Sequence, residues 1–178
     1  MKKIFLSIIL TSQLWCAAYD PFLLETQLTL LPKIAMLEKN LVFSHPRSPV
    51  KLLIAYDRED EDAANLSAEI LKRKFNGNLN NHPIIVTITP FDKLEGSASY
   101  HFVYSLKASV SQLKKLRNAV SPSGAITALY EADKLGESNM LLSIQMERTP
   151  VILINAKELR TNHYSLPDSL LEIARIIQ

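Results

Sequence analysis

Short uninterrupted apolar runs alternate along the chain with stretches whose apolar residues fall three and four positions apart. Residues 50–56 are one such run, ending at Asp57, and a helical pattern follows with Leu66, Ile70, Leu71 and Phe75, closed by Gly77. The next run, 84–89, is reached through the turn-rich segment Asn-Gly-Asn-Leu-Asn-Asn-His-Pro. Strand, helix and strand at this spacing predict a βαβ unit, with parallel pairing and a right-handed crossover.

The pattern repeats downstream. Residues 100–105 and 125–130 read as strands around a helix over 109–120, whose Val110, Leu113, Leu116 and Val120 share a side. Ser109 followed three residues later by Gln112 is a capping box, which fixes that helix start. The last third changes character. Met140, Leu142, Ile144 and Met146 alternate with more polar neighbours, Glu147-Arg148-Thr149-Pro150 makes a turn, and 151–154 is a second short run. This predicts an antiparallel hairpin joined to a parallel sheet. Asn155 then ends the strand by hydrogen-bonding the turning backbone. After an irregular stretch of about ten residues, Pro167 opens a closing helix with Leu170, Leu171, Ala174 and Ile177 on one face.

Before the first strand, residues 23–41 carry Leu24, Leu28, Leu31 and Ala35 at helical spacing, with Leu30, Ile34, Leu37 and Leu41 beside them. So wide a stripe needs cover on more than one side. Pro32 within it predicts a kink or a fresh helix whose first turn holds the proline. His45-Pro46-Arg47-Ser48-Pro49 reads as a connector. Without internal repeat or linker, residues 19–178 are expected to form one α/β domain: a mixed, mostly parallel sheet with a C-terminal antiparallel hairpin and flanking helices.

The extreme N-terminus differs. Met1-Lys2-Lys3, an apolar stretch from Ile4 to Leu10, and Cys16-Ala17-Ala18 before Tyr19-Asp20 have the parts of a secretory signal, with cleavage expected after Ala18. The apolar stretch is short of the roughly 20 residues that span a bilayer. Trp15 stands where a lipoprotein signal wants a small residue before the acylated cysteine, which argues against Cys16 as a lipid anchor. Export alters the charge balance: 20 Lys+Arg against 18 Asp+Glu becomes 18 against 18 once Lys2 and Lys3 are removed. A neutral chain has no general pull toward nucleic acid, and after cleavage no segment is expected to enter the membrane. The only cysteine leaves with the signal, so packing without disulfides must hold the expected periplasmic protein together.

Candidate chemistry is thin. The acidic run Asp57-Arg58-Glu59-Asp60-Glu61-Asp62 lacks the glycine that a calcium loop needs for its sharp turn, and acids just before a helix cap its free N–H groups. The same loop follows the first parallel strand, where open α/β sheets receive ligands, but its acids disfavour anions. His45, His82, His101 and His163 are scattered without metal-ligand spacing; His82 and His163 are expected in solvated turns. Ser121-Pro122-Ser123-Gly124 leads from helix to strand, the wrong order for a nucleophile elbow. Lys107, Lys114, Lys115 and Arg117 suggest a solvated basic face. No catalytic, cofactor-binding or metal-binding residue is assigned, and the chain reads as a non-enzyme.

The segment from Ile154-Asn155 to Leu170-Leu171-Glu172-Ile173-Ala174 resembles the C-terminal end of the YfiR-like family of small periplasmic proteins, and the spacing matches without a gap. LLPKIAMLEKNL is similar to that family's first helix, VKLLIAYD to its first strand, and NHPIIVTI and HFVYSL to its second and third. The resemblance implies a periplasmic regulator that binds the outward-facing sensor domain of an inner-membrane diguanylate cyclase and represses cyclic di-GMP signalling. A homodimer is compatible with it, and the partner-binding residues are unassigned. The alternative is a periplasmic component that binds a small solute for a transporter or sensor.

Overall fold

The computed structural model of the chain describes residues 19–41, 48–94 and 99–178. The expected signal segment with Cys16 and Ala18, and most of the connector around His45, lie outside the described residues. Helix α1 is Pro21–Ala35, followed by β1 (Val50–Tyr56), α2 (Glu61–Phe75), β2 (Asn78–Leu79), β3 (His82–Pro90) and β4 (Phe102–Ser105). Then come α3 (Val110–Val120), β5 (Ile126–Leu129), α4 (Leu135–Ser138), β6 (Leu142–Met146) and β7 (Pro150–Asn155). Helices α5 (Ala156–Thr161) and α6 (Asp168–Ile173) and strand β8 (Arg175–Ile177) close the chain.

Among the described residues the strands form one eight-stranded sheet in the order β2-β3-β1-β4-β5-β6-β7-β8. The run from β3 through β6 is parallel, β6–β7 is the expected antiparallel hairpin, and β8 returns parallel to β7. This is the predicted single-domain α/β fold. Period two along β1 divides the core. Leu52, Ile54 and Tyr56 pack in the cluster under α1, α2 and α6, whereas Leu53 and Ala55 join the opposite cluster under α3 and α4. The chain steps from β1 outward to β3 by way of α2, then crosses back to β4 and on through α3 to β5. With right-handed crossovers, that reversal puts the helices on opposite faces and leaves a switch point between β1 and β4 at their carboxyl ends.

Local chemistry accounts for the element ends. Asp20 caps α1, its carboxylate accepting from Leu23 N at 2.8 Å, and Pro21 fills the first helical position. Leu24, Leu28 and Leu31 are essentially fully buried, worth about 1.5–3 kcal/mol each against leaving them exposed. Pro32 lies in the last turn of one continuous helix and opens no new one; the helix stops at Ala35, and Leu37 is exposed. The Asn-rich segment is a tight hairpin in which Asn80 and Asn81 both take positive φ and β2 pairs with the start of β3. Ser109 and Gln112 form the predicted reciprocal cap.

Three expectations are corrected. Leu66 points to solvent, because α2 buries Ala64, Ser67, Ile70 and Leu71 instead. The stretch after Asn155 is not irregular: residues Ala156–Thr161 form α5. The closing helix ends at Ile173, Ala174 is extended with ψ 149°, and Arg175–Ile177 is a strand on β7. Ile177 therefore belongs to the sheet, not to a helical face with Leu170.

Candidate functional site

At the switch point the carboxyl end of β1 runs into Asp57–Asp60 and that of β4 into Leu106–Ser109. The N-terminal segment sits across both. The Tyr19 hydroxyl donates to Asp60 Oδ2 at 2.6 Å and accepts from Lys107 N at 3.0 Å, so one phenol ties the two loops together. Its ring stands edge-on to Tyr130, centroids 4.8 Å apart, and the Lys107 ammonium lies 5.0 Å from the Tyr19 ring centroid. Asp20 N donates to the Tyr130 hydroxyl at 2.7 Å.

A buried polar relay lies behind these rings. Gln27, fully buried on α1, donates to Tyr130 O at 3.0 Å and to Ile144 O at 2.7 Å, and accepts from the Tyr104 hydroxyl. Every polar atom of its amide is thereby matched, as a buried amide requires. The helix is locked in register over β5 and β6.

The charged groups of this end are engaged with one another. Glu131 Oε2 accepts from Lys134 Nζ at 2.6 Å, and the same ammonium donates to Ala108 O at 2.8 Å. Asp57 caps the turn after β1 and accepts from Gln112 Nε2 at 2.9 Å, fastening α3 to that loop. Arg58 Nε donates to Asp92 Oδ2 at 2.8 Å, which holds the Asp92 carboxyl below the usual range. Burial, then the hydrogen bond to Asp60, pushes the Tyr19 phenol well above its ordinary pKa, and burial raises that of Tyr130. Both phenols keep their protons at neutral pH. Here they serve as hydrogen-bonding struts.

The acidic run thus splits. Asp57 caps, as expected; Asp60, at the α2 N-cap position, makes no cap and takes the Tyr19 hydroxyl instead. Among the described residues no group of three or more His, Cys, Asp or Glu is placed to hold a metal ion. His82 begins β3 and donates from Nδ1 to Ser48 O at 2.9 Å, so it is not a solvated turn residue. His101 accepts from Lys51 N through Nδ1 at 3.0 Å. Arg117 leaves the basic face entirely: it is buried and paired with Glu158 on α5. Lys107 belongs to the loop after β4, beside Tyr19, leaving Lys114 and Lys115 exposed on α3. Tyr19, Gln27 and Tyr130 carried no motif in the sequence. Glu131 and Lys134, three apart just after a strand, carried a weak one.

No protein-family model matches the chain, and no curated protein matches it. Solved structures do. A conserved domain protein from Vibrio cholerae O1 biovar El Tor strain N16961 superposes with a TM-score of 0.60 at 12% identity, covering 87% of this chain and 60% of its own. The ABC domain in complex with L-Trp from Streptococcus pneumoniae does so with a TM-score of 0.60 at 12% identity, covering 88% and 60%. At that identity the likeness shows a shared fold. This chain spans about three fifths of the length of either structure.

Proposed function

We propose that the protein is a non-enzymatic regulator, exported with loss of its signal near Ala18, that binds the periplasmic sensor domain of an inner-membrane diguanylate cyclase and holds it inactive. The observation that supports this reading is the occupant of the switch crevice. Where an open α/β sheet ordinarily receives a small molecule, this chain places its own Tyr19, hydrogen-bonded to Asp60 and Lys107 N. A fold that fills its ligand crevice with its own side chain presents a preformed surface instead. Repression then requires tighter binding to the inactive cyclase than to the active one, because equal affinity shifts no population.

The test is deletion of the gene with the cyclase present and expressed. Cellular cyclic di-GMP should rise and return to its starting level when the protein is resupplied. An unchanged level overturns the proposal. A second reading, a solute-binding component of a transporter or sensor, draws on the fold shared with the domain solved in complex with L-Trp. Impaired uptake of a small solute in the deletion strain, with cyclic di-GMP unchanged, would favour it.

A further inference from the structure

At the opposite end of the sheet, the amino ends of β4 and β5 border a cleft of about 220 Å³. Glu38 and Asn40, from the turn after α1, form one wall, and His101, Ser123, Asn162 and Tyr164 contribute to the others. We infer that this cleft binds a small organic cation through a primary ammonium group, with Glu38 as the counter-charge. Binding here does not depend on the docking role proposed above.

The charge balance of the interior carries the inference. Among the described residues three charged side chains are buried: Glu38, Arg117 and Glu158. Arg117 and Glu158 pair at 3.1 Å, and Arg117 also donates to Asn162 Oδ1, so their charges cancel behind the Asn162 wall. Glu38 is left over. It is 6% exposed; Oε1 accepts from Asn40 N at 3.0 Å, while Oε2 is sealed from solvent without a hydrogen-bond partner. An unpaired carboxylate in such a place is costly, and a cation held in the cleft beside it supplies the missing counter-charge.

The rest of the wall suits the same guest. No Lys or Arg is among the residues that line it, which disfavours an anion. Burial, Lys51 and His82 keep the His101 pKa below its ordinary value, so this imidazole adds no positive charge at neutral pH. Tyr164 and Ser123 donate their hydroxyl protons to Ala125 O and Val120 O, and their oxygens thus face further partners as acceptors. The volume is below the 300–1,000 Å³ of pockets for drug-sized ligands, which points to a small metabolite.

The experiment uses the mature protein with n-butylammonium chloride as probe, n-butanol as its uncharged counterpart, and potassium chloride to match ionic strength. Backbone amide resonances of Asn40, Gly124 and His163 should shift saturably with n-butylammonium, with n-butanol at least tenfold weaker. Glu38→Gln should weaken the ammonium response at least tenfold and raise the melting temperature without probe, since a buried unpaired charge has been removed. Should that variant fail to fold, Ser123→Phe, which fills the cleft, should abolish the response. Equal binding of n-butanol, a response unchanged in either variant, or no saturable shift at these amides would overturn the proposal.

Discussion

Arg117 on α3 and Glu158 on α5 meet at 3.1 Å with side chains only 6% and 7% exposed. Asn162 completes the group, accepting from Arg117 and donating from Nδ2 to Glu158 Oε2 at 2.8 Å. Taking one partner away strands the other charge in the interior. Arg117→Met or Glu158→Leu should therefore each destabilise by about 3–5 kcal/mol, whereas the double variant carrying both should cost much less than their sum. Denaturant unfolding of the four proteins completes the cycle; strictly additive losses would contradict a coupled pair.

Five tyrosines tie alkaline stability to the same packing. Burial raises Tyr19, Tyr56, Tyr104, Tyr130 and Tyr164, with hydrogen bonding to Asp60 adding to the effect at Tyr19. The unfolded chain gives up these protons near pH 10 while the native state keeps them, so stability is full below about pH 10 and falls as pH rises beyond it. Tyr104→Phe should lower the denaturation midpoint at neutral pH, through loss of its bond to Gln27, yet flatten the decline above about pH 10. A decline as steep as that of the wild type would remove Tyr104 from this account.

His101 acts in the opposite direction on the pH scale. Its depressed pKa means that the native state binds fewer protons than the unfolded chain, whose imidazole titrates near 6.5. Its contribution is full above about pH 6.5, is lost as pH falls toward the native value, and then levels off. Melting temperatures of the wild type and His101→Gln, followed downward from about pH 7.5, should converge as the medium becomes acidic. A gap that widens would contradict the sign.

The C-terminal segment shows how far a hydrophobic pattern could be read. β1 was legible to the residue, because a run buried on both faces and stopped by Asp57 has one interpretation. Leu170, Leu171, Ala174 and Ile177 keep helical spacing, yet pairing of Arg175–Ile177 with β7 wins over it after one and a half turns. Leu170 is the buried member and Leu171 is half-buried. Leu170→Ala should cost about 2–5 kcal/mol and Leu171→Ala distinctly less, measured by chemical denaturation; the reverse order would restore the helical face. The Tyr19 crevice was less legible still. Its partners Asp60, Lys107 and Tyr130 are 41, 88 and 111 positions away along the chain, and only the topology brings them together.

Asn155 joins what the sequence disclosed to what it concealed. It was expected to end β7 by hydrogen-bonding the turning backbone, and its Oδ1 accepts from Lys157 N at 3.0 Å and from Glu158 N at 3.3 Å. Those amides open α5, a helix too short to show an apolar stripe, although Asn155 with Glu158 three residues on has the spacing of a capped start. Unforeseen was the other half of the amide: Nδ2 donates to Leu135 O at 3.0 Å, fastening α4 to the end of the sheet, in a side chain 1% exposed. Asn155→Ala should cost about 2–4 kcal/mol, the cap together with a buried carbonyl left unpaired. Asn155→Asp separates the two roles. It keeps the acceptor that caps α5 but turns a carboxylate oxygen toward the Leu135 carbonyl, so at neutral pH it should be no more stable than Asn155→Ala, and it should recover as pH falls and the carboxyl gains a proton to donate. If Asn155→Asp matched the wild type at neutral pH, capping alone would account for the residue and the tie to α4 would carry no energy.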